Sequence, residues 1–342
     1  MEGCAVEQIR HREIHFTAAR PAPDLLALRT VDDVFAVAAA VAGIDRTRAS
    51  LDRLRAAVRR ADLTRAMTVV RTITGSRPSR QIDVTASFVG RRNYNRFEIE
   101  DTVGDAITRF VGGTYHTRAS GGRPPAGTTS WRVTIEDQRA VIALRLSSRP
   151  LHRRDWKRAS IPGTLHPPVA AAMVALAELR AGDRVLDPCC GAGTLLVEAA
   201  SVVPRISVYG SDICRTALIA TGENVTTRAH AHMCVADAGA LPVGDASVDR
   251  ILVNPPWQGQ VDARLGLSRN LRRLWTEARR VVRADGLIVA LLDDADVRLP
   301  DLTAGGGWLV ERRIPLSLFG RHPEIVVARP TGTDLADERA RV

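Results

Sequence analysis

The sequence predicts an α/β protein with a doubly wound parallel sheet in its second half and a smaller α+β unit in its first half. From residue 183 onward, strand-like and helix-like segments alternate regularly. The last two strands follow each other without a helix, which indicates an antiparallel end to the sheet. The first half mixes strands and helices without this regular order. The 342 residues are enough for about two or three domains with ordinary cores.

The second half contains a strand-then-helix series followed by two closing strands. The predicted helices are "GTLLVEAASVV" (193–203), "CRTALIATGENVTTR" (214–228) and "SRNLRRLWTEARRVVRADG" (268–286). The predicted strands are "DRVLDP" (183–188), "ISVYGSD" (206–212), "MCVAD" (233–237), "DRILVNP" (249–255), "GLIVALLDD" (286–294), "WLVERRIPLSLF" (308–319) and "EIVVARP" (324–330).

The first half is less strongly patterned. "REIHFTA" (12–18) and "QIDVTASFVG" (81–90) are typical of strands, and "WRVTIEDQRAVIALRLS" (131–147) predicts a hairpin that turns near Glu136–Gln138. The spacing predicts helices over 30–43, 49–63 and 98–112, the first capped by Thr30 or Asp32 and ended by Gly43.

Five segments follow from these patterns. They are an N-terminal part (1–45), a second α+β part (46–150), a basic linker (151–165), the parallel-sheet domain (166–331) and a tail (332–342).

The positive charge of the chain is concentrated in its first half. Residues 1–158 contain 28 basic and 17 acidic side chains, whereas the rest contains 20 and 21. Clustered positive charge favours a polyanionic partner, most simply nucleic acid. The alternative is a basic surface that contacts only solvent.

Several other classes are disfavoured by composition. The N-terminus lacks the apolar segment of a secretory signal, and no run approaches the roughly 20 apolar residues of a membrane helix. The five cysteines are scattered and form no C-x-x-C pair, which argues against a disulfide framework or a zinc site. We therefore expect a cytoplasmic protein without a metal, and we favour a monomer.

A glycine-rich turn follows the first strand of the second half. The strand ends at Asp187, and Gly191 and Gly193 follow before the next helix. Such a turn allows a ligand to lie against the backbone. It matches neither the dinucleotide G-x-G-x-x-G pattern nor a phosphate-binding loop with lysine. By itself it is also compatible with an ordinary strand-to-helix turn.

Acidic residues end the next two strands. Asp212 can accept both hydroxyls of a ribose, and Asp237 can accept from an adenine amino group. With Asp187, these carboxylates converge on the crevice where ligands bind in doubly wound sheets. Each alone could be a helix N-cap. A ligand with ribose and adenine but no required phosphate fits them, and S-adenosylmethionine is such a ligand.

The fourth strand ends in Asn254, Pro255, Pro256 and Trp257. The asparagine oxygen and the Pro255 carbonyl are two acceptors, which suit an incoming NH₂ group. Positioning by these acceptors can direct the amine lone pair to a methyl donor without a strong base. A flipped base could stack on Trp257, worth about 1–3 kcal/mol. The alternative is a proline-rich loop with a core tryptophan.

These motifs resemble known enzymes. "VLDPCCGAGTLLVEAA" and "ILVNPPWQGQV" resemble Rossmann-like class I methyltransferases that act on amides and amines. The segments 82–107 and 131–158 resemble the RNA-binding THUMP domain, and 28–45 resembles the ferredoxin-like segment that precedes it. Together they resemble the THUMP-containing tRNA guanine-N2 methyltransferases. The resemblance therefore implies a ferredoxin-like part over 1–45 and a THUMP-like domain over 46–150.

The resemblance also implies roles for individual residues. The Asn254–Trp257 motif is catalytic, and Asn254 also borders the cofactor. The implied cofactor contacts are Asp187, Cys190, Gly191 and Gly193 at the methionine end, Asp212 at the ribose, Asp237 and Ala238 at the adenine, and Thr164 in the segment over the cofactor. The implied RNA contacts are Arg91, Arg92, Asn93, Arg96, Arg153, Arg154 and Lys157.

The sequence thus predicts an S-adenosylmethionine-dependent RNA methyltransferase that forms N2-methylguanosine in the tRNA acceptor stem. Alternatives are methylation of rRNA at guanine N2 or adenine N6, methylation of a protein glutamine, and a non-catalytic RNA-binding protein. Two features depart from the family pattern: the N-terminal part is short, and Gln258 occupies a position where relatives often have glycine.

Overall fold

The computed structural model contains two compact units, Met1–Leu151 and His152–Val342. Residues 152–165, predicted as a separate linker, therefore belong to the second unit. Among the residues that the structure describes, no helix is long and apolar enough to cross a bilayer. The predicted tail and Gln258 lie outside the described residues. The structure describes residues 3–225, 230–257, 271–293, 295–303, 307–318 and 320–331.

The first unit contains a two-stranded ribbon and a five-stranded sheet. The ribbon pairs β1 (Cys4–Ile9) with β2 (Ile14–Ala18). The sheet has the order β3-β7-β6-β4-β5, in which β4 runs parallel to β5 and β6. Its strands are β3 (Phe35–Ala42), β4 (Gln81–Phe88), β5 (Thr114–Tyr115), β6 (Thr129–Glu136) and β7 (Arg139–Arg145), and the helices are α1 (Ala49–Arg60), α2 (Leu63–Thr74) and α3 (Arg96–Val111).

The helix predicted over 30–43 is wrong. This segment forms β3, which pairs antiparallel with β7 from Phe35 opposite Arg145 to Ala42 opposite Arg139. Its alanines favour a helix in isolation, but pairing with the neighbouring strand overrides that preference. A boundary at residue 45 would separate β3 from its hydrogen-bonded neighbour. The ferredoxin-like and THUMP-like identities of the two parts remain predictions.

The other predicted elements of this unit are confirmed. α1 and α3 occupy the predicted helical segments, and β6 and β7 form the predicted hairpin. The start of α3 is fixed by a capping box in which the Asn95 side chain accepts from the N–H of Phe97 and Glu98. The Glu98 carboxylate in turn accepts from the Asn95 N–H at 2.9 Å.

Glu100 on α3 makes the stability of this unit depend on pH. The residue is 3% exposed, its Oε1 accepts from the Ala86 N–H at 2.9 Å, and its Oε2 has no hydrogen-bond partner among the residues that the structure describes. Burial raises the pKa of Glu100. The contribution of Glu100 to the free energy of unfolding is therefore fully present below the pKa of glutamate in the unfolded chain. It is lost as pH rises through the raised pKa of the folded state.

We expect Glu100→Gln to flatten this pH dependence, because glutamine keeps the acceptor for Ala86 but does not ionise. Urea unfolding at a series of pH values between 4 and 8 measures the effect. Glu98→Gln is the matched control. Hydrogen bonds from the Asn95 backbone and Arg48 lower the pKa of Glu98, so the contribution of Glu98 to stability is lost as pH falls, which is the opposite direction. An unchanged slope in Glu100→Gln would contradict the assignment.

The second unit is built on a seven-stranded sheet of order β10-β9-β8-β11-β12-β14-β13. The first five of these strands are parallel, and β14 is antiparallel to both neighbours. This confirms the predicted parallel sheet with an antiparallel end. The strands are β8 (Arg184–Asp187), β9 (Ser207–Asp212), β10 (His230–Val235), β11 (Val248–Val253), β12 (Val282–Leu292), β13 (Trp308–Pro315) and β14 (Glu324–Pro330).

Helices connect these strands, and their order places a crevice at the centre of the sheet. Since β8 is followed by β9 on one side while β11 lies on its other side, the strand order reverses at β8, the position where ligands bind in such sheets. The helix predicted over 268–286 ends earlier, because Val282 already pairs with Val248 of β11. The helices are α4 (Pro167–Leu176), α5 (Thr194–Val202), α6 (Arg215–Asn224), α7 (Arg272–Val281) and α8 (Ala295–Thr303).

Candidate active site

The loop between β8 and α5 turns sharply over two glycines. Gly191 and Gly193 have φ values of 53° and 75°, which residues with a side chain rarely adopt. A Cβ on Gly193 would also lie 2.8 Å from the Thr221 Cγ2 on α6. The N–H of Cys190 donates to the Ser211 carbonyl at 2.9 Å. The turn is therefore held against β9 and packed closely on α6.

Asp187, the last residue of β8, is 1% exposed. Its Oδ1 accepts from the Cys189 N–H at 3.1 Å. Burial raises the pKa of Asp187 well above its usual range, and the Asp212 carboxylate raises it further. A cationic ligand group beside Asp187 would counteract that shift, since an opposite charge favours the ionised carboxylate.

Asp212 ends β9 and joins two loops. Its Oδ2 accepts from the Gly191 N–H at 3.0 Å, and its Oδ1 accepts from the Cys214 N–H at 2.8 Å. Each carboxylate oxygen keeps a further lone pair for a ligand. The side chain thus faces the crevice from the second strand, as its position in the sequence predicts.

A cavity of about 390 Å³ opens at these strand ends, a size typical of small-molecule sites. Residues 161–165, the glycine-rich turn, the start of α6 and the segment after β11 form its walls. Gly193 does not line it and instead shapes the turn. The predicted residues that line it are Thr164, Asp187, Cys190, Gly191, Asp212, Ala238, Asn254, Pro255, Pro256 and Trp257.

Three lining residues carry buried polar atoms without a hydrogen-bond partner among the described residues. They are the Asn254 Oδ1, the Trp257 Nε1 and the Thr194 Oγ1. Buried polar groups are normally paired, so each unpaired one needs an explanation. A ligand or substrate that brings an amino group and acceptor atoms would supply the missing partners. The donor set therefore fits a polar ligand such as S-adenosylmethionine together with an amine substrate.

Trp257 is a buried ring. It is 7% exposed and belongs to an apolar core with Leu165 and Ile325. The Arg321 guanidinium lies 5.6 Å from the centroid of its ring, a cation–π geometry. The large apolar area of an indole favours this burial. Trp257 forms a wall of the cavity, and stacking of a base on it stays a prediction.

The contact of Asp237 with adenine stays a prediction. β10 ends at Val235, and Asp237 does not line the cavity, although Ala236 and Ala238 do. The Asp237 Oδ1 accepts from the Gly239 N–H at 2.9 Å, and Oδ2 pairs with Arg273 at 3.2 Å. These contacts hold the side chain in the loop, so the cavity wall at this position is apolar.

The two cysteines of the turn are protonated packing residues. Burial raises the pKa of Cys189 well above its usual range, and the Asp187 charge raises it further. Burial also raises the pKa of Cys190. A thiol must ionise to act as a nucleophile, so covalent catalysis by either is disfavoured. No group of His, Cys, Asp and Glu able to hold a metal occurs in the described part of the chain.

The predicted RNA contacts of the first unit divide into two groups. Arg91, Asn93 and Arg96 are exposed. Arg92 is instead structural: its guanidinium donates to the carbonyls of Ile44 and Asp45 at 3.0 Å and of Asp137 at 2.8 Å. These hydrogen bonds hold its terminal nitrogens within the fold, and an RNA contact at Arg92 stays a prediction.

The basic run of the second unit divides in the same way. Arg153 is exposed. The Arg154 side chain is 8% exposed and donates to Glu198, which is fully buried in α5, at 2.9 Å. Arg154 thus has a structural partner, and its RNA contact stays a prediction. Lys157 is half-buried, and burial lowers its pKa; its role as an RNA contact remains a prediction.

Two buried polar residues of α6 also contact the site, and the sequence reasoning missed both. The Thr221 hydroxyl donates to the Gly191 carbonyl at 2.7 Å, and the Asn224 amide donates to the Ala192 carbonyl at 2.8 Å. Both residues are fully buried. Their only signal in the sequence is the three-residue spacing that places them on one face of the helix.

The sheet order, the glycine-rich turn and the N-P-P-W segment at the cavity define a class I methyltransferase, a class whose cofactor is S-adenosylmethionine. The UPF0020 family model, described as an RMKL-like methyltransferase domain, matches residues 154–299. The tRNA (guanine(6)-N2)-methyltransferase of Thermus thermophilus is 32% identical over 251 residues, which cover 71% of this chain and 68% of that protein. The chain therefore belongs to the same family as that enzyme.

Two further comparisons extend this result. The U6 snRNA (guanine-N(2))-methyltransferase THUMPD2 of Bos taurus is 31% identical over 197 residues, which cover 56% of this chain but only 36% of that longer protein. The crystal structure of TrmN from Thermus thermophilus matches with a TM-score of 0.72 and 26% identity, over 96% of this chain and 92% of that one. The similarity to TrmN thus extends beyond the methyltransferase unit.

Proposed function

We propose that this protein transfers a methyl group from S-adenosylmethionine to the exocyclic N2 of a guanosine in tRNA, in the acceptor stem. The observation that carries the proposal is the unpaired Asn254 Oδ1, which lies at the end of β11 on a residue lining the cavity. A relative of 32% identity named as a tRNA guanine-N2 methyltransferase supports the choice of base and RNA.

The cavity offers separate partners for the parts of the cofactor. The buried Asp187 suits the ammonium of the methionine end, and the open lone pairs of Asp212 suit ribose hydroxyls. Ala236, Ala238 and Ile213 supply an apolar wall for the adenine ring. When bound, the cofactor supplies an electrophilic methyl group on a sulfonium.

The chain then has to orient the amine. The Asn254 Oδ1 and the Pro255 carbonyl accept the two N–H bonds of the amino group, and this geometry favours a pyramidal nitrogen whose lone pair is free. Pro255 and Pro256 have no N–H that could compete for these acceptors. Burial raises the pKa values of Cys189 and Cys190 and so disfavours a thiolate base, whereas hydrogen bonds to the two acceptors would position the amine for transfer.

The proposal is tested by incubating the purified protein with S-adenosylmethionine and unmodified tRNA, then digesting the RNA and analysing its nucleosides by mass spectrometry. We expect N2-methylguanosine in tRNA transcripts. N6-methyladenosine in place of N2-methylguanosine, or the absence of any methylated nucleoside, would overturn the proposal. Because THUMPD2 is named for U6 snRNA, a U6 snRNA transcript belongs in the assay, and methylation there without tRNA methylation would contradict the choice of RNA.

The exposed arginines of the first unit predict a salt-dependent contribution to RNA affinity. We expect Arg91→Gln/Arg96→Gln to weaken tRNA binding and to reduce the slope of log K against log salt by about 1.4–1.8, since each phosphate contact contributes about 0.7–0.9. Titrations by fluorescence anisotropy at several salt concentrations measure this. Arg109→Gln is the control, because Arg109 is an exposed residue at the C-terminal end of α3, the helix that begins at Arg96. An unchanged slope in the double variant would remove these residues from the interface.

A further inference from the structure

Asn224 uses its whole side-chain amide to join two segments of the second unit. Its Oδ1 accepts from the N–H of Arg158 at 2.7 Å and of Ala159 at 2.9 Å. Its Nδ2 donates to the carbonyls of Ala159 at 3.0 Å and Ala192 at 2.8 Å. An amide has two donor protons and two acceptor lone pairs, so the group is fully satisfied within the fold, and the residue is 0% exposed.

The two joined segments both line the cavity. Ala192 belongs to the glycine-rich turn and lines the cavity. Residues 158–165, here called the strap, include the lining residues Ile161 to Leu165. Asn224 itself does not line the cavity and lies behind both segments. It therefore acts on a bound ligand only through them.

The strap keeps its own shape but depends on Asn224 for its position. Thr164 closes a turn within the strap: its N–H and its hydroxyl donate to the Ile161 carbonyl at 3.0 and 2.6 Å, and its Oγ1 accepts from the Ile161 N–H at 2.8 Å. These bonds do not connect the strap to the glycine-rich turn. Among the hydrogen bonds of the described residues, those of Asn224 make that connection.

We propose that Asn224 is a positioning residue that sets the distance between the strap and the glycine-rich turn and thereby the affinity for the cofactor. The inference rests on the proposed function, because it takes the cavity as the S-adenosylmethionine site. Without the amide, the strap occupies its binding-competent position in only a fraction of the molecules. The observed affinity for the cofactor is reduced by that fraction. Aspartate cannot replace asparagine, since a carboxylate offers no donors to the Ala159 and Ala192 carbonyls.

The first test needs no ligand. Amide hydrogen exchange followed by mass spectrometry, on the full-length apo protein, compares the wild type with Asn224→Asp and Asn224→Ala. We expect peptides of the strap to exchange about tenfold faster in both variants, which corresponds to about 1.4 kcal/mol, while peptides of β8 and β11 keep their protection. Wild-type exchange in the strap would overturn the proposal. If Asn224→Ala fails to fold, Asn224→Asp decides the result alone.

The second test is calorimetric titration with S-adenosylhomocysteine and S-adenosylmethionine. We expect the Kd of Asn224→Asp to rise about tenfold, whereas kcat at saturating cofactor and KM for tRNA stay close to wild type; a general loss of structure would lower kcat as well. Asn95→Asp is the matched control, since the cap of α3 requires only an acceptor oxygen. An unchanged Kd in Asn224→Asp would overturn the inference. Failure of the wild type to bind either ligand would instead overturn the proposed function, and the exchange result would stand by itself.

Discussion

We expect Asn254→Ala to lower kcat by about two to three orders of magnitude while the Kd for S-adenosylhomocysteine stays near the wild-type value. The expected loss is that of removing one positioned hydrogen-bond group from a site that relies on such groups. The Asn254 Oδ1 has no partner among the described residues, so loss of this oxygen breaks none of their hydrogen bonds. Single-turnover kinetics with tRNA and calorimetry with the cofactor product separate the two effects.

Asn254→Asp is the informative companion variant. Aspartate keeps an acceptor oxygen at the same position, so we expect it to retain more activity than alanine. Full activity in Asn254→Ala would refute the assigned role of the amide oxygen. A large loss of cofactor affinity in that variant would assign Asn254 to cofactor binding instead of to the amine.

The second large effect concerns the buried pair of Arg154 and Glu198. We expect Arg154→Ala to destabilise the protein by about 3–5 kcal/mol, because it removes the guanidinium that pairs with the fully buried Glu198 carboxylate at 2.9 Å. Urea unfolding measures this loss. An RNA contact at Arg154 would predict the opposite pattern, with unchanged stability and weaker RNA binding.

A double replacement gives a sharper test of the same pair. Arg154→Met/Glu198→Met removes both charges and keeps apolar volume, and such replacements are often close to neutral. We expect it to recover most of the stability lost in Arg154→Ala. Arg153→Ala, which changes an exposed neighbour, is the control and should stay near wild type. A double variant as unstable as the single one would contradict the ion-pair explanation.

The site residues that the sequence predicts correctly follow from one rule about parallel sheets. In a parallel sheet the carboxyl ends of all strands meet at one edge, so an acid or amide at the end of a strand can be assigned to the crevice without coordinates. Asp187, Asp212 and Asn254 follow this rule and line the cavity. Asp237 does not line the cavity, because β10 ends two residues before it and a side chain beyond a strand end can turn to another partner, here Arg273.

Other features that the sequence does not reveal share a different cause, which is competition from partners distant in the chain. The alanine-rich segment 30–43 has helical propensity, but β7, about a hundred residues later, offers it a strand to pair with. Arg92 and Arg154 occur in basic stretches that are typical of RNA-binding surfaces. Backbone carbonyls and Glu198 bind their guanidinium groups instead. A stretch of sequence does not reveal such partners.

The sequence by itself determined the α/β class, the antiparallel end of the sheet and the strand ends that carry Asp187 and Asn254, because hydrophobic periodicity and strand order are local properties of the chain. Only the tertiary structure decided which arginines are free to meet a polyanion, that Trp257 is a buried wall, and that Asn224 joins two loops 33 residues apart. Those outcomes depend on which groups meet across the fold, and the cost of leaving a buried polar group unpaired selects among them.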